Sequence, residues 1–415
     1  MTHPRYLKLC FFSFCFAQLI SIFGDRLHQF SVVGMIGKVA AGSSLELFQF
    51  ALFSHLPVLL FAPLFGSIID RSNKVAVLIV VDVVRGCIVL AVPALFHLSG
   101  SLYAFYVPTL FLTLANLLFS PAKSAVVPEL FGPLRLLRIN AVLWGLGIVG
   151  TLAGFVTGGW LFDFHTWEMS FYSDAASYFV SVLFLLPLIA LWRSTERPQV
   201  EVRPPGGSAW RWYSGVAMIG DSVREGLVHI KTNRQVAYCL ITQTALFACL
   251  GVLYVVGVAR IQSVFPSEKT IYLSAVASAG TVGLLAGAAV ATVLRRLFSS
   301  NRVIAHATLL FAVTCMGVAA ARGLVAIMSW TFVMGLALSP IFIITETLLQ
   351  IHAPRSYRGR IFSSREVVTK TAFLAFSMVA VVLSALLSKA SIMLFLGVIL
   401  AGTGVVLERK DFLKV

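Results

Sequence analysis

Long apolar runs alternate with short polar segments along the whole of this 415-residue chain. Each run is close to the roughly 20 residues that an α-helix needs to cross a bilayer. The pattern therefore predicts an all-α membrane protein with twelve transmembrane helices. The runs are 9–37, 46–68, 75–97, 103–127, 139–162, 169–192, 235–259, 268–294, 303–321, 324–351, 361–388 and 390–407.

The basic residues divide unevenly between the two sets of connections that join these runs. Of the 32 Lys and Arg residues, 23 lie in or directly beside the two termini and the connections on the same side as them, with Arg365 at the start of the eleventh run counted among these loop cations. The opposite set holds five: Lys38, Arg260, Lys269, Arg322 and Lys389. Because Lys and Arg collect in cytoplasmic loops, this asymmetry predicts that both termini are cytoplasmic and that the number of spans is even.

Composition excludes several classes of protein. The chain is 59% hydrophobic and 12% charged, with a mean hydropathy of +0.92, whereas soluble domains carry about 25% charged residues. Its net charge of +15 is spread over alternate helix connections, so it indicates membrane topology and no nucleic-acid partner. The six cysteines lie inside apolar runs without paired spacing, which favours small buried side chains over disulfides or ligands.

Matched features recur about 220 residues apart and indicate an internal repeat. Ser120-Pro121 is followed 219 residues later by Ser339-Pro340, and Gly66 is followed 221 residues later by Gly287. Repeats of this kind are typical of secondary transporters. We therefore predict a six-helix bundle over 1–192, a cytoplasmic central loop with an amphipathic helix over 193–234, and a second six-helix bundle with a short tail over 235–415.

One polar loop carries a recognisable motif. It reads Gly66-Ser-Ile-Ile-Asp70-Arg71-Ser-Asn73-Lys74 and resembles the G-x-x-x-D-R-x-G-R-K motif of the major facilitator superfamily, with Asn73 at the second glycine. Gly66 allows two helices to approach closely, and we expect Asp70 to cap the next helix. Asn tolerates a left-handed backbone, so the exchange at residue 73 is mild.

This resemblance implies the fold and a role for the loop. The fold would be two pseudo-symmetric six-helix bundles that work by alternating access. In the family the motif latches the halves in one conformation and does not bind substrate. The implied latch residues here are Gly66, Asp70, Arg71 and Lys74, with Arg358 and Arg360 in the connection between the tenth and eleventh runs.

Further segments resemble one bacterial branch of that superfamily, which holds the lysophospholipid transporter and the enterobactin and macrolide exporters. Phe23-Gly24-Asp25 and Ser120-Pro121-Ala122-Lys123 are closer to the lysophospholipid transporter, whereas Arg358-Gly359-Arg360-Ile361-Phe362 is closer to the exporters. The resemblance implies a multi-pass protein of the bacterial inner membrane. We expect a monomer whose partners are the bilayer, a small-molecule or lipid substrate and protons.

Four ionisable residues within the runs are candidates for substrate contact or ion coupling. A charge at the bilayer centre costs about 2.5–3.5 kcal/mol on insertion scales, so each needs a compensating role. Asp25 and Arg26 follow Gly24, which loosens the first helix. Asp25 would bind a proton, a cation or a substrate headgroup, or it would form an internal ion pair with Arg26 or another helix. Lys123 would meet an anionic group or a neighbouring carboxylate. Glu346 has no basic residue within a helical turn.

Two other pairs have spacings that favour a structural role. Asp82 and Arg85 are three residues apart in the third run, and Glu366 and Lys370 are four apart in the eleventh. Side chains at these spacings are neighbours on one helix face. We therefore interpret both as ion pairs within a helix.

The sequence leaves three functions open. The first is proton-coupled efflux of an amphiphilic organic solute, favoured by runs that are rich in Phe and Leu. The second is lysophospholipid transport or flipping, with the lipid entering sideways between helices. The third is a polytopic membrane enzyme, which would need an intramembrane His/Asp or Ser/His pairing that the sequence does not display. We find no metal-ligand spacing and no nucleotide motif, and we expect no cofactor.

Overall fold

The computed structural model describes residues 4–70, 73–131, 136–194, 234–265, 270–352 and 358–409, and these parts of the chain are helical. Within them, twelve helices are long and apolar enough to cross a membrane. The helices are α1 (Pro4–Val39), α2 (Ser44–Asp70), α3 (Lys74–Ser99), α4 (Tyr103–Phe131), α5 (Leu136–Phe164), α6 (Trp167–Ser194), α7a (Arg234–Val252), α7b (Val258–Val264), α8 (Thr270–Leu297), α9 (Ser300–Ala320), α10 (Leu324–His352), α11 (Arg358–Leu386) and α12 (Lys389–Arg409).

A π-helical turn joins α7a to α7b within a single span. It covers Leu253–Gly257, and the whole span runs from Arg234 to Val264. Single π-turns inside α-helices are rare and occur most often at functional sites. The ring of Tyr254, within this turn, lies 5.9 Å from the ring of Phe373 on α11.

Contacts divide the chain into two compact units. The first unit holds residues 1–31, 56–157 and 166–221, and the second holds 32–55, 158–165 and 222–415. In the first unit α3 packs along α4 and α6, and in the second α9 packs along α10 and α12. The same helix pairs thus recur six helices later, as expected for a repeated bundle.

Glycines allow the helices of the second unit to touch at their backbones. A Cβ atom at Gly283 on α8 would lie 2.0 Å from the carbonyl oxygen of Phe332 on α10. A Cβ atom at Gly287, the residue matched to Gly66 in the repeat, would lie 2.6 Å from the carbonyl oxygen of Leu336. Small residues at such crossings are typical of helix packing in membranes, where close van der Waals contact drives association.

The second unit also contains short pieces from the first half of the chain. The Asp163 carboxylate near the end of α5 accepts hydrogen bonds from the backbone N–H groups of Thr270 and Ile271, at 2.8 and 2.7 Å, and so caps α8. The Gln262 side chain donates to the Val33 carbonyl of α1 at 3.0 Å. These contacts explain why the ends of α1 and α5 belong to the second unit.

The start of α3 differs from the prediction. Asn73 is its N-cap, and its side-chain oxygen accepts from the backbone N–H of Ala76 at 3.3 Å. The expectation that Asp70 would cap this helix was wrong, because α2 continues to Asp70 and the cap position falls three residues later. Asn73 has φ −70°, so the left-handed backbone that we allowed for it is not used.

Several of the predicted features fall outside what the structure describes. They are Arg71, the side chains of Asp70, Arg358 and Arg360, the surroundings of Gly66, and the amphipathic helix predicted within the central loop. Lys74 lies in the first turn of α3 and is partly buried. The conformational latch therefore stays a prediction.

Candidate functional site

Polar side chains form a stripe along the inner face of α6 in the first unit. Asp174, Tyr178 and Ser181 are spaced four and three residues apart, so they lie on one face of the helix. Their exposed fractions are 0%, 1% and 0%. Because buried polar groups in a membrane protein need partners, each of them indicates a specific contact with another helix. We call these three residues and their partners the polar ladder.

The middle step of the ladder, at Tyr178, joins it to Asp25, a predicted coupling residue. Its carboxylate accepts a hydrogen bond from the Tyr178 hydroxyl at 2.7 Å, so α1 and α6 are joined at this level. Arg26 points elsewhere and donates to the side-chain oxygen of Gln29 at 2.8 Å. Adjacent residues on a helix do not face each other, which explains why Arg26 does not pair with Asp25.

One turn further along α1, His28 contacts Asp174. The His28 Nδ1 atom lies 3.2 Å from the Asp174 Oδ2 atom, and the His28 Nε2 atom lies 3.0 Å from the Thr109 hydroxyl oxygen on α4. The three residues are 3%, 0% and 5% exposed. The structure therefore contains an intramembrane His/Asp pairing, which the sequence analysis did not find.

A glycine permits this close approach of α1 to α6. A Cβ atom at Gly24 would lie 2.0 Å from the Ser177 Oγ atom and 2.7 Å from the Asp174 Oδ1 atom. Ser177 itself donates to the backbone carbonyl of Asp174 at 2.7 Å, so its side chain is already engaged. The sequence suggested that Gly24 loosens α1. The structure shows that a residue without a side chain here also leaves the space in which both contacts of α1 with α6 form.

The third step of the ladder joins α6 to α3 through Asp82 and Arg85. Their side chains are 3.2 Å apart and fully buried, the geometry that their spacing predicts. The Asp82 carboxylate also accepts from Ser181 at 2.7 Å, and Arg85 donates to the side-chain oxygen of Asn116. The guanidinium lies 4.3 Å from the centre of the Phe119 ring, a cation–π distance. This arrangement compensates both charges.

Lys123, on α4, has a different environment. It is partly buried and lies within electrostatic range of Asp25 and Arg85. An ammonium group within a membrane-spanning helix is a candidate contact for an anionic part of a solute.

In the second unit, Glu346 of α10 is paired with α11. Arg365 donates to both Glu346 and Glu366, and Gln243 of α7a donates to Glu346 at 3.1 Å. Glu346 therefore has a basic partner that the sequence spacing did not reveal.

The predicted ion pair between Glu366 and Lys370 is not formed. In the part of the chain that the structure describes, no ion pair joins them, and Glu366 contacts Arg365. Lys370 instead lies with its ammonium 5.7 Å from the centre of the Phe247 ring. The i,i+4 spacing permits a pair, but Arg365 is nearer to the carboxylate and also reaches Glu346.

The second unit also contains a large apolar groove. Its volume is about 1020 Å³, and it is lined by side chains of α7a, α9, α11 and α12 with Ile341 of α10. Two residues in its wall, Leu383 and Phe395, are 37% and 64% exposed. Among the described residues no cluster of His, Cys, Asp and Glu fit to hold a metal ion is found.

Comparison with known proteins gives the family. The sequence pattern of the Major Facilitator Superfamily matches residues 11–370. The chain is 26% identical over 374 residues to the uncharacterised MFS-type transporter YfiS of Bacillus subtilis (strain 168), covering 86% of this chain and 82% of that protein. It is 23% identical over 197 residues to a proposed bacilysin exporter, BacE, of the same organism, covering 47% of this chain and 45% of that protein.

Solved structures share the fold at low sequence identity. A bacterial homologue of the iron transporter ferroportin in an inward-facing state aligns with a TM-score of 0.70 at 14% identity over all of both chains. A mutant of the nucleoside transporter NupG aligns with a TM-score of 0.68 at 14% identity, over 98% of this chain and 100% of that one. With the pattern match over most of its length, the chain belongs to the Major Facilitator Superfamily, and it is a multi-pass membrane transporter without enzymatic activity.

Proposed function

We propose that this transporter exports an amphiphilic organic solute by alternating access and that export is driven by protons. The observation that carries the proposal is the polar ladder, which buries the Asp82–Arg85 ion pair and the Asp174–His28 contact and holds a third, partly exposed carboxylate, Asp25. Ionisable groups within transmembrane helices are expensive and mark ion or substrate pathways. A protonatable carboxylate is the simplest group that couples a transporter to a proton gradient.

The direction of transport is supported by the relatives. BacE is named as a proposed exporter of bacilysin, and its similarity extends over about half of this chain. YfiS, which matches more of the chain, has a name that gives no substrate. Export by this chain is therefore our proposal, and its solute is defined by chemistry alone.

We assign roles to the candidate residues on their surroundings. Asp25 is hydrogen-bonded yet partly exposed, so it is placed to exchange protons or to meet a cationic group. Lys123 offers a cation for an anionic part of a solute. Glu346 is already neutralised by Arg365, which makes it a weaker coupling candidate than Asp25. Arg26 is engaged with Gln29, and we assign it no separate role.

The remaining expectations from the sequence form part of the same proposal. The protein would lie in the bacterial inner membrane as a monomer with both termini in the cytoplasm. Residues of the loop after α2 and of the loop before α11 would latch one conformation. Asp70, Arg71, Lys74, Arg358 and Arg360 would supply the charges, and Gly66 would allow the close approach of two helices.

Transport in proteoliposomes tests proton coupling directly. Purified protein is reconstituted, a pH gradient is imposed in either direction, and movement of ethidium, an amphiphilic cation, is followed with and without an uncoupler. We expect accumulation that depends on the gradient, and we expect Asp25→Asn to abolish it because the amide cannot release a proton. Glu168→Gln is the matched control, since Glu168 pairs with the exposed His97 and lies outside the ladder. If ethidium accumulates equally with and without the pH gradient, proton coupling is refuted.

Lysophospholipid flipping is a second candidate, favoured by the groove in the second unit. Its apolar lining and its volume of about 1020 Å³ suit an acyl chain, and it has exposed residues in its wall. The same liposomes with a fluorescent lysophospholipid separate the two functions. If the lipid crosses without a gradient and ethidium does not move, lipid flipping replaces drug export as the function.

A further inference from the structure

His28 lies between two oxygen atoms deep in the first unit. One ring nitrogen faces the Asp174 carboxylate at 3.2 Å and the other faces the Thr109 hydroxyl at 3.0 Å. Both oxygens of Asp174 are buried and make no hydrogen bond of good geometry within the described residues. A carboxylate in this position is compensated by the imidazole or by a proton.

The Thr109 hydroxyl lies 2.8 Å from the backbone carbonyl oxygen of Phe105 and 3.0 Å from His28 Nε2, and it has one hydrogen to give. If that hydrogen goes to Phe105, Nε2 must carry a hydrogen, and a neutral imidazole then turns its Nδ1 lone pair towards the Asp174 carboxylate at 3.2 Å. If it goes to Nε2, a neutral imidazole presents its Nδ1–H group to an ionised Asp174. In both arrangements the pair without a further proton carries a net negative charge in apolar surroundings.

One additional proton removes this net charge. If it lies on the His28 ring, an imidazolium faces a carboxylate, and if it lies on Asp174, a carboxylic acid faces a neutral imidazole. In both cases the pair carries no net charge, as the apolar surroundings require. Without that proton the pair is a fully buried anion.

We propose that His28 and Asp174 together form a buried binding site for one proton and that this is the proton exchanged during transport. The second part rests on the proton coupling proposed above, whereas the first part does not. Asp25, the residue that the sequence suggested, is then the neighbouring carboxylate that takes up and releases the proton on its way to the pair.

The groups that face the pair come from each helix packed around it. Asp25 lies three residues before His28 on α1, and Tyr178 lies four residues after Asp174 on α6. The Arg85 guanidinium of α3 is within electrostatic range of Asp174. From α4, the Lys123 ammonium is within range of Asp25. The Asp25 carboxylate opposes loss of the proton from the pair, and Arg85 favours it.

Aromatic rings close the pair on its other side. The Phe171 ring meets the His28 ring edge-on at 5.7 Å and stacks with Phe105 at 5.4 Å, and Trp167 packs against both phenylalanines. Phenylalanine rings offer water no hydrogen-bonding group, whereas Asp25, one turn away on α1, is partly exposed. We therefore place the entry of the proton on the side of Asp25.

Spectroscopy without any substrate tests the proton itself. Protein labelled with ¹⁵N-histidine in liposomes is compared with His28→Gln, which identifies the His28 signals among the eight histidines. We expect either hydrogen on both ring nitrogens of His28 or a carboxylic-acid infrared band, and we expect Asp174→Asn to remove whichever is present. A neutral His28 ring without such a band overturns the proposal.

The His97–Glu168 pair is the matched control. It has the same chemistry and the same 3.2 Å separation, but the His97 side chain is 64% exposed. In the liposome assay His28→Gln should lose gradient-driven accumulation of ethidium while His97→Gln keeps it. Retained accumulation in a folded His28→Gln protein overturns the exchange role of the pair.

The two proposals fail in different ways. If ethidium accumulation by the wild type does not depend on the pH gradient, both proton-driven export and the exchange role of the pair are refuted. The NMR and infrared spectra then still decide whether the pair holds a proton. If the pH gradient drives ethidium accumulation equally in the wild type and in Asp174→Asn, the export proposal stands and the exchange role of the pair is refuted. Chromatography of each variant by size confirms that a loss reflects chemistry and not misfolding.

Discussion

A methyl group at residue 24 tests the close contact between α1 and α6. In the variant Gly24→Ala the new Cβ atom would lie 2.0 Å from Ser177 Oγ and 2.7 Å from Asp174 Oδ1. Neither distance is tolerated, so the two helices must separate or the Ser177 side chain must turn away. Both steps of the ladder that join α1 to α6 depend on this spacing.

The structure gives the size of the effect. Overpacking a tight site costs about 1–3 kcal/mol. Moving Ser177 breaks its 2.7 Å hydrogen bond to the Asp174 carbonyl, which costs about 0.5–1.5 kcal/mol. The gain in helix propensity returns about 0.5–1 kcal/mol. We expect a net loss of about 2 kcal/mol, or a midpoint of thermal unfolding lower by roughly 4–8 °C for a unit of this size.

Thermal unfolding in detergent, followed by tryptophan fluorescence at one heating rate, measures this shift. Gly145→Ala is the matched control, because a Cβ atom there has no heavy atom within 4 Å and should leave the midpoint unchanged or slightly higher. Adding Ser177→Ala to Gly24→Ala removes the nearest clash and should recover part of the loss. If Gly24→Ala unfolds at the same temperature as Gly145→Ala, α1 and α6 are not in the contact described.

Three further changes have expected outcomes. Arg85→Met leaves Asp82 buried without its partner and should lower stability by about 3–5 kcal/mol, whereas adding Asp82→Asn should restore much of the folded yield because both charges are then removed. Asp163→Ala removes the cap of α8 and should cost about 1 kcal/mol, with faster hydrogen exchange at the Thr270 amide and unchanged exchange in α9. Arg260→Met removes the hydrogen bonds that Arg260 donates to the carbonyls of Val318 and Ala321 at the end of α9, so the midpoint of thermal unfolding should fall. Arg260→Lys keeps the charge and should restore part of that midpoint.

The helices and the family could be predicted from the sequence because both depend on local patterns. Hydrophobic runs of bilayer length are visible without any knowledge of packing, and the twelve spans follow from them. The contact between Asp82 and Arg85 is local too, since a separation of three residues fixes their proximity on one helix. These features need no information about which helices are neighbours.

The contacts that were missed join residues far apart in the chain. His28 and Asp174 are 146 positions apart, and no spacing rule connects them. Their signals were present separately: His28 lies one turn from Asp25, and Asp174 is an acid inside an apolar run. The same limit applies to Arg365, which was counted among the loop cations and turned out to pair with Glu346.

The second half of the chain supplies an internal comparison for the polar ladder. The offset of 221 residues that relates Gly66 to Gly287 takes the ladder positions to apolar or small residues. Asp25, His28, Asp174, Tyr178 and Ser181 correspond in this way to Leu246, Cys249, Phe395, Ile399 and Gly402. All five of the latter line the apolar groove of the second unit.

The two sets of positions differ in burial. Asp174 and Tyr178 are 0% and 1% exposed, whereas Phe395 and Ile399 are 64% and 60% exposed, so the second unit has no buried polar ladder at the matched positions. Placing charges at bilayer depth costs about 2.5–3.5 kcal/mol each on insertion scales. The contacts within the ladder offset this cost, so its contribution to folding and its proposed role in transport need separate measurements. The triple variant Asp25→Asn, His28→Gln and Asp174→Asn roughly keeps the side-chain volumes and removes the titratable groups, so we expect a folded protein that no longer responds to a proton gradient. A triple variant that fails to fold would show that the ladder is structural after all.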